Sequence, residues 1–281
     1  MLEIKNLQFG FGRKKILKNI TFSFEPGVYG LLGPNGAGKT TMMRCIAGLY
    51  AVPQKSICYR GNPLHNGKRP AFQIGYLPQK YGMYKDLTLS QMLHLIADMK
   101  GIKDKEAERH VRSALEFVNL SDRAESRVKE LSGGMVRRAG IAQALLGDPE
   151  IIIFDEPTAG LDPEERLRFQ NIIAEIKKDK IIVISTHIVE DVEAVCDQVA
   201  VMQDGHIAFS GSRQEIAELA RGKIYEVPLQ KLDAIKPPYY KQKLHERDGV
   251  QNYRIISQEP QDFQLMEPNV EDGYMCVLKG I

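Results

Sequence analysis

The chain has 281 residues, 43% hydrophobic and 26% charged, an ordinary balance for a globular protein of one large domain or one domain with an appendage. Its 38 basic and 36 acidic residues leave a net charge of +2, which gives no support for nucleic-acid binding. Cys45, Cys58, Cys196 and Cys276 form no C-x-x-C pair, which argues against a zinc site and fits a reducing compartment.

The N-terminus carries charge at once and lacks the apolar core of a signal peptide. "LEIKNL" and "NITFSF" alternate, with Ile20, Phe22 and Phe24 on one face, and predict half-buried antiparallel strands. "VYGLLG" (28–33) reads as a fully apolar strand running into "GPNGAGKT" (33–40), which fits G-x-x-x-x-G-K-[ST] and opens a helix over "KTTMMRCIAGL". In that pattern glycines let backbone N–H groups curl round phosphate oxygens, while the helix presents its positive N-terminal end. Lys39 supplies a point charge for the β- and γ-phosphates, and the Thr40 hydroxyl can ligate Mg²⁺. Gly33, Pro34, Asn35, Gly36, Ala37, Gly38, Lys39, Thr40 and Thr41 are therefore the candidate ATP-binding residues.

Gln79 follows the short apolar run "IGYLP". From 85 to 147 the pattern turns helical. "TLSQMLHLIADMKG" has Thr88 or Ser90 as its N-cap and Gly101 as its stop, and "KEAERHVRSALEFVNL" puts Val111, Ala114, Leu115 and Val118 on one face. "LSGGMVRR" (131–138) then sets a serine and two glycines before a basic, helix-competent run. A plain N-cap explains Ser132 but not both glycines. "EIIIFDE" predicts a buried strand with Asp155 and Glu156 at its C-terminal end, the edge where parallel sheets bind ligands. Asp155 suits outer-sphere Mg²⁺ binding, and Glu156 suits polarising a water. Asp162–Pro163 opens a helix, "KIIVIST" is a further apolar strand that leads to His187, and "VAVMQDGHIAFSG" predicts a hairpin about Asp204–Gly205. Apolar strands alternating with helices imply a mainly parallel sheet. The fold expected is therefore α/β: a P-loop NTPase core, an N-terminal antiparallel β subdomain, a helical insert over 85–147, and a small α+β appendage. The appendage, 221–281, carries the strand-like pieces "KIYEVPL" and "NYRII" and a helix over "EPNVEDGYMCVLKG" that stops at Gly280.

The order of these motifs over residues 1–220 resembles the ATP-binding-cassette (ABC) ATPases. The resemblance implies that Phe11, in "FGFG", is the aromatic that stacks on adenine, with Phe where most relatives carry Tyr. It makes Gln79 the lid residue that senses Mg²⁺ and water, and Asp162, in "AGLD", part of a loop at a dimer interface; His187, from its place at the catalytic end of an apolar strand, is a candidate contact for the γ-phosphate. It implies two cassettes packed head to tail, so that Leu131, Ser132, Gly133, Gly134 and Met135 of one copy close over ATP on the other. Both glycines would then be bare to admit a foreign phosphate. Met135, where the family usually has Gln, resembles a variant of drug, bacteriocin and polysaccharide exporters.

The longest apolar runs, "IIIF" and "IIVI", fall short of the about 20 residues that span a bilayer, so a separate transmembrane permease is implied. Membrane contact would come only through that permease, on the cytoplasmic face. The expected function is ATP hydrolysis that powers export, in a homodimer by default. An importer ATPase shares every catalytic motif. A soluble ABC ATPase acting on ribosomes or DNA is disfavoured by the single cassette, near-neutral charge and absence of a cysteine motif.

Overall fold

The computed structural model describes residues 1–64, 74–247 and 249–281, and it divides into two compact units, Met1–Ile207 and Ala208–Ile281. In the first, β1 (Leu2–Phe11) and β2 (Lys14–Phe24) form the predicted antiparallel pair. The short strands β4 (Ile57–Tyr59) and β5 (Asn62–Pro63) extend it in the order β2-β1-β4-β5. One face of this sheet, through Leu2, Ile4, Leu17, Ile20 and Phe24, is buried in the main core.

The second sheet has a parallel core that runs β9 (Gln198–Gln203), β3 (Gly27–Leu32), β8 (Ile181–Ser185), β7 (Ile151–Asp155), β6 (Ile74–Leu77), with a sixth strand beside β9. Ile151–Phe154 and Ile181–Ile184 are at most 1% exposed, as unbroken apolar runs require when both faces of a sheet are covered. Each such side chain contributes roughly 1.5–3 kcal/mol of burial. The crossovers are α1 (Lys39–Ile46), α5 (Pro163–Ile176) and α6 (Val189–Val195). Asp162 caps α5, its Oδ1 accepting from Glu165 N at 2.8 Å, with Pro163 at the first helical position. Asp204 and Gly205, with φ 48° and 82°, make the expected two-residue turn between β9 and β10 (His206–Ser212).

The insert between β6 and β7 is α2 (Leu89–Met99), α3 (Asp104–Phe117) and α4 (Gly133–Leu145). Thr88, rather than Ser90, is the N-cap of α2, in a capping box with Gln91. Val111, Ala114, Leu115 and Val118 are all buried, as their spacing predicts. Lys100, which closes α2, donates to Leu146 O at 2.8 Å, and burial pulls its pKa down to about 8. Between that value and the 10.5 of a free lysine, the unfolded chain holds a proton that the folded chain has released. Stability should therefore rise with pH across this window, by at most about 1.4 kcal/mol per unit from this residue. Urea titrations at several alkaline pH values should show Lys100→Met lacking that part of the slope. An unchanged slope in the variant would assign it to other groups.

In the second unit, β11 (Ile224–Pro228), β12 (Tyr239–Arg247), β13 (Val250–Ser257) and β14 (Gln264–Leu265) form an antiparallel sheet ordered β12-β13-β11-β14. α7 (Arg213–Glu218) packs on α8 (Val270–Lys279), where Gly273 lies against the Ile216 carbonyl. That contact groups α7 with the appendage, so this unit begins earlier than the change in sequence texture at 221. The helix stop at Gly280 has φ 69°. β12 was not legible in sequence, because as an edge strand it alternates little and stays mostly exposed.

Candidate functional site

Strand register assembles the site. Ser185 at the end of β8 pairs with Asp155 of β7 on one side and with Leu31 of β3 on the other. The turns after all three strands therefore open at one edge. There the Ser185 hydroxyl donates to Asp155 Oδ1 at 2.7 Å and the Thr40 hydroxyl donates to the same oxygen at 3.1 Å. Asp155 is fully buried and its second oxygen, Oδ2, has no partner among the described residues. Leaving a buried carboxylate oxygen unpaired is costly, so a donor or cation beside Thr40 would relieve it. Among the described residues no group of three or more His, Cys, Asp or Glu could hold a metal. A hydroxyl and one carboxylate fit Mg²⁺, which keeps several waters and takes further oxygens from phosphates.

The loop from β3 to α1 turns at Gly33, with φ 152°, where a Cβ would stand 2.3 Å from the Met202 carbonyl oxygen. Only glycine passes there. The buried Lys39 ammonium donates to Gly33 O at 2.6 Å and Pro34 O at 3.4 Å. Burial pulls its pKa down, against the opposing pull of Glu156 and Asp155. The first N–H groups of α1 lack intrahelical partners by construction and carry the positive end of the helix dipole. Pro34, Asn35, Gly36, Ala37, Gly38, Lys39, Thr40 and Thr41 line a cleft of about 230 Å³, closed by Lys14, Ile16, Gln79 and Glu156.

Glu156 is 7% exposed and adopts φ 51°, the left-handed region that a residue with a long side chain enters only under constraint. Its N–H lies 3.0 Å from Ser185 Oγ and 3.1 Å from Ser185 O. Its Oε2 is 2.9 Å from Nδ1 of the exposed His187. An ionised carboxylate only accepts, so this contact places the imidazole proton on Nδ1. The turn that follows is pinned by Thr158 Oγ1, which donates to Asp191 Oδ2 at 2.5 Å with both side chains buried.

The other predicted residues fall in two places. Gln79 is exposed at the cleft. Phe11 is 53% exposed at the end of β1, edge-on to Phe9 (5.2 Å between centroids) and Tyr50 (5.5 Å), and it does not line the cleft. Leu131, Ser132, Gly133, Gly134, Met135 and Asp162 lie outside the cleft as well. Ser132 is the exposed N-cap of α4, its Oγ accepting from Met135 N at 3.3 Å, which leaves the hydroxyl hydrogen free to donate elsewhere. Among the described residues nothing stands within 4 Å of a Cβ position at Gly133, whereas at Gly134 a Cβ would meet Glu165 Cδ at 3.0 Å. A Cβ at Gly134 would therefore press on a side chain of its own chain, whereas the space beside Gly133 is open. Sequence reasoning passed over Ser185, Thr158, Asp191, Tyr81 and Arg137, whose roles depend on strand register and on backbone carbonyls. A larger groove of about 690 Å³ opens at the opposite ends of β7 and β8, where charges such as Lys180–Asp148 (2.6 Å) already pair.

The ABC transporter family profile matches residues 17–159. An uncharacterized ABC transporter ATP-binding protein of Bacillus subtilis (strain 168) is 35% identical over 231 residues, covering 82% of this chain and 77% of that one. The Nod factor export ATP-binding protein I of Burkholderia lata is 36% identical over 220 residues, covering 77% and 72%. A solved ATP-binding subunit of an ABC transporter superposes with a TM-score of 0.69 at 31% identity, covering 77% of this chain and 92% of that chain. A phosphate-binding loop, an acidic pair and a histidine gathered at one sheet edge, with this ancestry, place the chain in the ABC transporter family as an ATP-binding subunit that hydrolyses ATP.

Proposed function

We propose that the chain is the energy-coupling subunit of an exporter, working as a head-to-tail homodimer on a separate membrane permease from the cytoplasmic face. The observation that carries this reading is the separation of two half-sites. The P-loop, Asp155, Glu156 and His187 gather at one sheet edge, while Ser132 and Gly133 stand exposed outside that cleft. Residues 1–220 would form the cassette, with the helical insert over 85–147, and 221–281 an appendage. The Nod factor export relative supports the export assignment, as does Met135. Among the described residues no helix is long and apolar enough to cross a membrane, which fits a permease encoded separately.

In this reading the P-loop amides and Lys39 bind the ATP phosphates, and Phe11 turns onto the adenine. Mg²⁺ would be held by Thr40, by Asp155 through water and by Gln79, and would neutralise phosphate charge. Glu156, aimed by His187, takes the proton of the attacking water. Ser132 and the N-terminus of α4 reach the γ-phosphate of the partner's ATP, and the Asp162 loop meets the partner. ATP favours the closed dimer only through its greater affinity for it. Ser132→Ala should lower turnover roughly tenfold to a hundredfold and leave the ATP affinity of the monomer unchanged. Steady-state hydrolysis and equilibrium titration together check this, and a large affinity loss in the monomer would mean that the loop acts within its own chain. An adjacent gene for a multi-span permease would support export, whereas a neighbouring solute-binding protein would assign import.

A further inference from the structure

The two arginines after the signature glycines turn back into their own chain. Arg138 is buried, donates to Val118 O (2.9 Å) and Asn119 O (3.0 Å), and pairs with Glu165 (3.2 Å). Arg137 goes to the cleft: its Nε donates to Pro157 O at 2.6 Å and its Nη2 donates to the backbone carbonyl of Glu156. The guanidinium carbon lies 5.9 Å from the centroid of Tyr81, on the loop that follows Gln79. Tyr81 in turn donates to Val136 O at 2.7 Å and rests where a Cβ on Gly140 would come within 2.6 Å of its ring. One side chain therefore touches α4, the Gln79–Tyr81 loop and the Glu156–Pro157 turn.

We infer that Arg137 is a positioning residue for hydrolysis in its own chain, holding the Glu156–Pro157 turn and the loop after Gln79 in working register. This rests on the reading of Glu156 as the base. Glu156 sits at φ 51°, a conformation that persists only when its surroundings over-determine it. Ser185 grips the amide side of the residue and Arg137 its carbonyl side. A planar fork with fixed donors can hold two successive carbonyls at once, which a lysine ammonium does less well. Because Ser132 begins the same helix, α4 carries a group for the partner's ATP at its tip and a group for its own ATP about 1.4 turns on.

With the full-length chain, Arg137→Ala should lower kcat roughly tenfold to a hundredfold, while ATP affinity stays within about twofold. Arg137→Lys, which keeps charge and stem, should fall between Ala and wild type. If the Ala variant does not fold, the Lys variant decides by the same split. Mixing Ser132→Ala with Arg137→Ala chains, each weak alone, should restore activity. One composite site of the mixed dimer then has an intact Ser132 from one chain and an intact Arg137 and Glu156 from the other. Wild-type kcat in both Arg137 variants, or no recovery on mixing, would overturn the proposal. Failure of the dimer reading would show separately, as a Glu156→Gln chain that forms no dimer with ATP.

Discussion

Glu156→Gln should bind ATP as the wild type does, hydrolyse it at less than about a hundredth of the wild-type rate, and accumulate as an ATP-bound dimer. The amide is isosteric and can still accept from His187 Nδ1 through its oxygen, so the 2.9 Å contact and the turn geometry survive. What the amide cannot do is take a proton from water. Lys39, Thr40 and the first amides of α1 are untouched, which is why affinity holds while turnover is lost. With hydrolysis blocked, ATP continues to favour the closed state and shifts mass towards dimer. Light scattering with and without ATP, beside phosphate release, reads both effects. Steady-state hydrolysis within tenfold of wild type would remove Glu156 from the role of base.

Gly133→Val separates what the signature loop does for its own fold from what it does for another chain. A Cβ at Gly133 meets nothing within 4 Å among the described residues, and the position is the first residue of α4, after an intact Ser132 cap. Thermal stability should therefore change by less than about 1 kcal/mol, the scale of helix propensity. Turnover should nonetheless fall more than about tenfold, because in the proposed head-to-tail dimer the side chain would occupy the approach of the partner's phosphate. ATP binding to the monomer should be unaffected. Gly134→Ala is the contrasting substitution, because there a Cβ presses on Glu165, which holds Arg138 at 3.2 Å and Arg168 at 3.0 Å. Helix propensity favours that alanine by up to about 1 kcal/mol, so its stability should stay within about 1 kcal/mol of wild type as the Glu165 side chain shifts to admit the methyl group. Wild-type turnover in Gly133→Val would mean that the exposed glycine faces no nucleotide.

Much of this protein is local in character, and that part was legible along the chain. The P-loop, the apolar strands ending in Asp155 and near His187, and the helix start at Asp162–Pro163 each follow from a few neighbouring residues. A buried strand needs an unbroken apolar run, and a phosphate loop needs glycines ahead of a helix N-terminus. Those demands leave a mark on sequence order. The exposed, weakly alternating edge strand β12 left no such mark, nor did Arg137, whose partners are carbonyls that any residue supplies.

The sequence by itself determined the parallel-sheet core, the nucleotide loop, and the identity of the acidic pair. Only the tertiary structure decided which side chains share a site. It set Ser185 against Asp155 by strand register and put Glu156 in a left-handed turn beside His187. It also divided the two signature glycines between an open face and Glu165. The reason is geometric: a motif specifies its own backbone, whereas the neighbours of that backbone are chosen by packing among segments far apart in the chain.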